Sequence, residues 1–339
     1  MAEAQVPIEI LKLVETLCGP APEQLQEAQA FAPSNIALAK YWGKRDKVLN
    51  LPHNSSVSVS LGSLGSYTKI SAAEGADEVY LAGKALDRSE PFAAKVLQFV
   101  ELFRRGQRLP IRVDTSNSIP TAAGLASSAS GFAALMKALN EAFGLALSLP
   151  QQSLFARFGS GSATRSFWDG FVTWERGVRS DGSDSYGVPL ETEWPEFRIA
   201  LVPVNTAPKS HSSRDGMNHT TATSPLYASW PTQAEEDFCT AVAAIKDRDF
   251  PTLGPLCEAN ALAMHATMSA ARPALHYLSA QSWEILEKLS QARRDGLAAF
   301  ATMDAGPNIK LLYLDAARND VMSLFPTATE ISPFDEQRM

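Results

Sequence analysis

The chain has 339 residues, 45 % of them apolar, and a net charge of −7. That is enough to bury one large core or two moderate ones, and too acidic for a general nucleic-acid binder, so any anion site must be a local concentration of positive charge. Three cysteines (Cys18, Cys239, Cys257) without a CxxC pair point to reduced thiols in the cytoplasm, and no apolar run reaches the roughly 18–20 residues that span a bilayer.

The N-terminus is acidic where a secretory signal wants lysine or arginine. Within residues 5–30, Ile10, Leu13, Val14 and Leu17 fall at helical spacing and predict an amphipathic extension. From Asn35 to Ile70 the pattern turns β-like. SVSVSL (Ser56–Leu61) alternates strictly, and GSLGSYT predicts a turn into a second strand. Pro91–Arg105 is apolar on one helical face, and IRVDTSNSIP predicts a strand running into the loop PTAAGLASSAS. Leu149–Gly161 predicts a short helix ending in GSGSATRS. FVTWERG then predicts a strand, DGSDSYG (Asp181–Gly187) an exposed hairpin, and FRIALVPV (Phe197–Val204) a buried strand. Helical patterns dominate from there to Leu289, and Leu297–Leu314 predicts strand, turn, strand. A β-rich first half and a helix-rich second half indicate an α+β fold in two layers, with the one plausible linker near residues 180–196.

The loop after Ile119 carries a chemical signal. No Asp or Glu occurs from Thr115 to Asn140, and hydroxyls crowd the start of the next helix. A helix N-terminus offers unpaired N–H groups and the positive end of its dipole, and small residues let a phosphate approach them closely. A small-residue helix packed tightly on a sheet fits the same composition. GxxxxGK[ST] is absent, GSGSAT lacks the final glycine of GxGxxG, and there is no complete GxSxG. The five histidines show no metal-binding spacing.

PTAAGLASSAS resembles the phosphate-binding loop of the GHMP small-molecule kinases. SNIALAKYWGKRD (Ser34–Asp46), GSGSATRS (Gly159–Ser166), SSRDGM (Ser212–Met217) and MDAGPNIKLL (Met303–Leu312) resemble motifs that occur together, in this order, in the diphosphomevalonate decarboxylases of that superfamily. The resemblance runs from about residue 32 to 314. It implies the two-layer GHMP fold, with a ribosomal-protein-like N-terminal part and a ferredoxin-like C-terminal part around a shared cleft. The boundaries it implies are an extension over 1–30, an ATP-binding domain over 31–190 and a C-terminal domain over 191–339. The activity implied is ATP-dependent decarboxylation of mevalonate 5-diphosphate through phosphorylation of its 3-hydroxyl, with ATP and Mg²⁺ as cofactors, in a cytoplasmic homodimer.

Residue by residue, the resemblance implies catalytic roles for Asp304, Lys40 and Arg165. Substrate contacts fall to Asn35, Tyr41, Lys44, Ser160, Ser162, Ser213 and Arg214. Nucleotide contacts fall to Pro120, Ala123, Gly124, Ala126, Ser127 and Ser128, with Ser127 on the metal. The residue chemistry fits: the guanidinium fork of Arg165 suits bidentate capture of a carboxylate or phosphate, and Gly306-Pro307 fixes a turn that aims Asp304. Taken singly, each residue has an ordinary alternative: solvated lysines at a strand end, a surface ion pair for Arg165, an Asx turn for Asp304. Three departures from the family pattern stand out: Lys209 and His211 in place of a more uniformly basic run, Thr164 in place of Cys or Ser, and Trp168-Asp169-Gly170 in place of an aromatic and two glycines. Three alternatives stay open: a decarboxylase of mevalonate 5-phosphate or a kinase that stops at the 3-phosphorylated product, on a very similar motif set, and an inactive nucleotide-binding relative, against which Lys40, Arg165 and Asp304 together argue.

Overall fold

A computed structural model of the chain describes residues 7–118, 128–204 and 211–334. The first half contains α1 (Ile8–Leu17), β1 (Ala28–Ala39), β2 (Lys44–Asp46), β3 (Leu51–Pro52), β4 (Ser56–Ala72), β5 (Glu78–Leu81), β6 (Lys84–Leu86), α2 (Pro91–Arg104), β7 (Ile111–Asn117), α3 (Ser128–Ala142), α4 (Leu149–Gly159), β8 (Phe171–Trp174) and β9 (Gly187–Pro189). The second contains β10 (Phe197–Val202), α5 (Ser213–Thr223), α6 (Trp230–Asp247), α7 (Phe250–Ser269), α8 (Ala280–Arg294), β11 (Ala299–Thr302), β12 (Ile309–Leu314), α9 (Arg318–Leu324) and β13 (Thr329–Ile331). The fold is mixed α+β.

Strand β4 organises the first half. One edge pairs antiparallel with β1 along its length, and the other pairs with β8 at its start and β7 at its end. Strands β5, β6 and β9 complete a seven-stranded sheet, in which β5–β7 is the parallel pair. The GSLGSYT segment therefore makes no turn. Gly65 serves close approach instead, since a Cβ there would lie 2.1 Å from the Ala32 carbonyl of β1. A second, four-stranded antiparallel sheet runs β11-β12-β10-β13, and β2 and β3 form a small hairpin.

The alternation of SVSVSL puts both faces to use. Val57, Val59 and Leu61 join Ile199 and Leu201 of β10 and Phe238 of α6 in a core shared by the two halves. Ser56, Ser58 and Ser60 are equally buried on the opposite face, beside α3 and the site. Alternating polarity usually signals one solvated face; here Ser56 accepts from Arg165 and Ser60 from the Gly62 N–H, while the Ser58 hydroxyl is buried without a partner. Helices α1 to α4 cover that same face of the sheet through a core built on Phe99, Phe103, Phe132 and Phe155. The extension predicted over residues 5–30 is α1, which buries Ile10, Leu13 and Val14.

Two further expectations change. Lys40 and Tyr41 lie just beyond β1 rather than on a strand, in a segment that ends at Gly43, with φ +106°. The Asp181–Gly187 stretch is not an exposed hairpin. Fully buried Arg157 of α4 donates to the carbonyls of Gly182 (2.9 Å) and Ser185, which draws the loop inward.

Candidate active site

The site forms where the ends of β1, β11 and α4 meet the starts of α3 and α5. Strand β1 carries two register irregularities, at Pro33/Asn35 and Ala37/Ala39, and both lie beside site residues. At the second, the Ala37 carbonyl accepts hydrogen bonds from Lys40 Nζ (2.8 Å) and Thr302 Oγ1 (3.4 Å). Lys40 is further anchored by its backbone N–H, which donates to Asn260 Oδ1 of α7 at 2.8 Å.

Asp304 sits in the turn after β11 with an ammonium on each oxygen. Lys40 Nζ lies 2.9 Å from Oδ1 and Lys310 Nζ lies 3.1 Å from Oδ2. Both lysine side chains are 2 % exposed, while that of Asp304 is 37 % exposed toward the cleft. Desolvating an ammonium costs several kcal/mol, so these lysines persist inside the protein because the carboxylate pairs with both. Burial opposes ionisation of Asp304, but the charges of Lys310 and Lys40 overcome it and hold the carboxyl well below the usual carboxylate range. Burial lowers Lys40 from the ordinary lysine value, and Asp304 partly offsets this. Burial, reinforced by the Lys40 charge, takes His265 of α7 down to about 4, so the ring is neutral. Its Nε2–H donates to the Asp304 carbonyl at 3.2 Å and braces the turn.

Arg165 closes a 3₁₀ turn (Gly161–Arg165) after α4 and is 2 % exposed. Its Nη1 donates to Ser56 Oγ at 2.6 Å, while its Nε has no partner. Burial lowers it to about 10, against the favourable charge of Asp304. Three buried cations thus face one carboxylate, a balance that calls for an anionic ligand. The buried hydroxyl of Tyr41 is also unpartnered. Buried polar groups without partners are costly; others occur elsewhere in the fold, but these two belong to cleft residues, Arg165 and Tyr41.

The serines line a path between the two halves of the site. Ser160 Oγ lies 3.2 Å from Ser162 Oγ and 3.5 Å from Ser128 Oγ, at the first residue of α3. Asn35 braces this turn by donating to Ser162 O (3.2 Å) and Ser166 Oγ (2.8 Å). Gly161 is required because a Cβ would come within 3 Å of both Tyr41 and Trp174. At the far end, Arg214 Nη2 of α5 donates to Gly159 O at 3.1 Å, next to Ser213. Lys44 and Lys95 flank it: burial, then the Arg214 charge, lowers each to about 8. No acidic side chain pairs with Lys44, Lys95 or Arg214 among the described residues.

The cleft therefore gathers Asn35, Lys40, Tyr41, Lys44, Ser128, Ser160, Ser162, Arg165, Ser213, Arg214 and Asp304. Pro120, Ala123, Gly124, Ala126, Ser127 and Lys209 lie outside the described residues. His211 is exposed. Of the departures, Trp168 packs on the first core and Asp169 is exposed. Thr164 turns inward, with Oγ1 donating to Gly161 O at 2.8 Å. Sequence reasoning missed Lys310, Lys95, His265 and Ser56. Lys310 did leave a signal, as the lone charge inside the apolar strand IKLLYL.

Two family descriptions match the chain: the diphosphomevalonate decarboxylase-like N-terminal domain over residues 32–187 and the mevalonate 5-diphosphate decarboxylase C-terminal domain over residues 199–338. Diphosphomevalonate decarboxylase from Candida albicans is 37 % identical over 318 residues, 88 % of either chain. The mevalonate diphosphate decarboxylase from Enterococcus faecalis, studied for its mevalonate diphosphate mediated ATP binding mechanism, superposes with a TM-score of 0.83 at 37 % identity, covering 91 % of this chain and 98 % of that one. MDDEF in complex with MVAPP, AMPPCP and magnesium gives a TM-score of 0.84 at 37 % identity, with coverage of 91 % and 98 %.

Proposed function

Since the chain belongs to the diphosphomevalonate decarboxylase family, we propose that it converts mevalonate 5-diphosphate and ATP to isopentenyl diphosphate, CO2, ADP and phosphate. The observation that carries this reading is the pairing of a doubly clamped carboxylate with a separate cluster of cations that have no counter-charge among the described residues. One end suits a reacting hydroxyl and carboxylate, and the other suits a diphosphate.

The substrate's tertiary hydroxyl is a poor leaving group, and its carboxylate cannot depart as CO2 until the C–C electrons have somewhere to go. Phosphoryl transfer from ATP to the 3-oxygen turns the hydroxyl into phosphate. Cleavage of that C–O bond builds positive charge on the tertiary carbon, and the electrons released with CO2 form the alkene. Asp304, kept ionised by its two lysines, is a weak base. Its role is to orient the hydroxyl and take its proton late in a loose transfer, with Lys40 beside the oxygen that receives the phosphoryl group. Arg165 holds the carboxylate through its free N–H groups, anchored from behind by Ser56. Ser160, Ser162, Tyr41, Lys44, Ser213 and Arg214 hold the diphosphate, joined by Lys95. Asn35 acts through the serine turn that it braces.

Ser128 at the start of α3 lies within reach of Ser160, which supports a nucleotide whose phosphates meet the substrate near these serines, with Pro120, Ala123, Gly124, Ala126 and Ser127 in the nucleotide loop. Magnesium fits as an ion carried in with ATP, whose phosphate oxygens are hard donors of the kind it prefers, with the Ser127 hydroxyl as its protein ligand. When bound, the ion neutralises charge on the transferring phosphates.

We also assign a ribosomal-protein-like part to residues 31–190 and a ferredoxin-like part to 191–339. The strand order β13-β10-β12-β11, with helices between β10 and β11 and between β12 and β13, supports the latter. The cytoplasmic homodimer remains part of the proposal, and light scattering on the purified chain tests its size. No helix among the described residues is long and apolar enough to cross a membrane. The central test is Asp304→Ala. We expect kcat to fall by about 10³-fold or more, with ATP affinity retained. Near-normal turnover would remove Asp304 from the mechanism.

A further inference from the structure

Strand period places Lys310 where it is. In β12, Ile309, Leu311 and Tyr313 face the core beneath α8 and α9, whereas Leu312 faces the core shared with the first half. Lys310 shares the parity of Leu312 and therefore points the same way. It emerges at the cleft end of that core, 3.1 Å from Asp304 Oδ2. The turn between the two is fixed within the second half. Gly306 N–H donates to Asp304 O (2.7 Å), Ser282 Oγ donates to Pro307 O (2.7 Å), and Asn308 Oδ1 accepts from Val204 N–H (2.7 Å). Lys40, in contrast, arrives from the first half at the end of β1.

We propose that Lys310 is a positioning residue that fixes the direction and charge of the Asp304 carboxylate from within its own half, so that Lys40 is free to serve the reacting oxygen. This rests on the reading that Asp304 faces the substrate hydroxyl. A carboxylate held by Lys40 alone would lose orientation and ionisation whenever that ammonium turned toward an incoming phosphoryl group. With Oδ2 held by Lys310, the carboxylate keeps both. The other groups that bear on this cluster are Arg165 from the 3₁₀ turn and His265 and Cys257 from α7.

The test is the pH profile of kcat/KM for Lys310→Met and Lys310→Gln beside the unaltered protein. Titration of ATP and of the substrate phosphates is common to all three and cancels in the comparison. Removing one of two opposing charges raises the Asp304 pKa from well below the usual carboxylate range, so in the variants an acid limb should appear, or sit about 1–3 pH units higher than in the unaltered protein. At pH 7.5 kcat should fall about 5- to 30-fold, with KM for both substrates within about threefold. Lys310→Arg should restore the limb. A packing defect lowers activity equally at every pH and does not shift a limb. If Lys310→Met fails to fold, Lys310→Gln, which keeps a neutral polar donor on a shorter side chain, decides the question. A limb that stays in place while Asp304→Ala is inactive overturns this inference alone. An active Asp304→Ala overturns the reading beneath it.

Discussion

The two ends of the cleft solve opposite electrostatic problems. At one end Lys40, Lys310 and Arg165 are buried around a carboxylate that holds two of them at 2.9 and 3.1 Å. At the other, Lys44, Lys95 and Arg214 gather with no acid among them, and mutual repulsion adds to burial in weakening the lysines' hold on their protons. The first cluster is organised before any ligand arrives, because its counter-charge is built in. The second has no counter-charge among the described residues, which suits a ligand that brings its own. Preorganisation suits the end where charge changes during reaction. An uncompensated cluster suits the end that only has to grip.

The comparison can be broken at either end. The larger effect belongs to Arg165. Arg165→Met should lower kcat/KM by about 10²- to 10³-fold, since losing a buried, charge-assisted contact costs roughly 3–4 kcal/mol. Arg165→Lys should rescue little, because an ammonium cannot reproduce both the Ser56 contact and a bidentate grip on a carboxylate. Retention of activity within threefold in the lysine variant would show that the fork is not used.

At the gripping end, Lys95→Ala should raise KM for the diphosphate substrate about tenfold with kcat nearly unchanged, in line with one charged hydrogen bond. The monophosphate should lose less, so paired KM measurements on both substrates locate Lys95 along the chain of phosphates. The smallest effect is in pH. Lys44 and Lys95 release their protons near pH 8 in the free protein, so KM should climb between pH 7 and 9 while kcat stays flat. Both are held below the ordinary 10.5, so their charged forms cost stability at pH 7, and this cost fades as pH rises through about 8 toward 10.5. Pyrophosphate relieves the same cost, so its gain in Tm should be larger at pH 7 than at pH 9.5. An equal gain at both would mean that the cluster is not the anion site.

Elements with a single strong period were legible in the sequence: α1, α2, β10 and the β11–β12 pair fall where hydrophobic spacing placed them. GSLGSYT was not, because glycine marks turns and close packing alike, and only the approach of β1 to Gly65 separates the two. Asp181–Gly187 looked exposed because its partner, Arg157, lies on a distant helix and shows only as a basic residue in α4. In the site, residues inside contiguous motifs were recoverable, whereas Lys95 lay hidden in an amphipathic helix whose polar face accounts for a lysine without further explanation. Ser56 was masked by a pattern that ordinarily means solvent on one side.

Trp42 carries a consequence for how the chain can be divided. Its carbonyl accepts from Tyr227 Oη (3.2 Å) and Trp230 Nε1 (2.8 Å), and its ring lies in a core otherwise built from residues 217 to 305. A stretch of early sequence is therefore lodged in late structure, immediately beside Lys40. A chimera that joins the front of this chain to the back of a relative would be cut, in space, through the reaction centre, even with its seam near residue 190. Exchange between relatives should succeed only when residues 40–44 travel with the helices that enclose them.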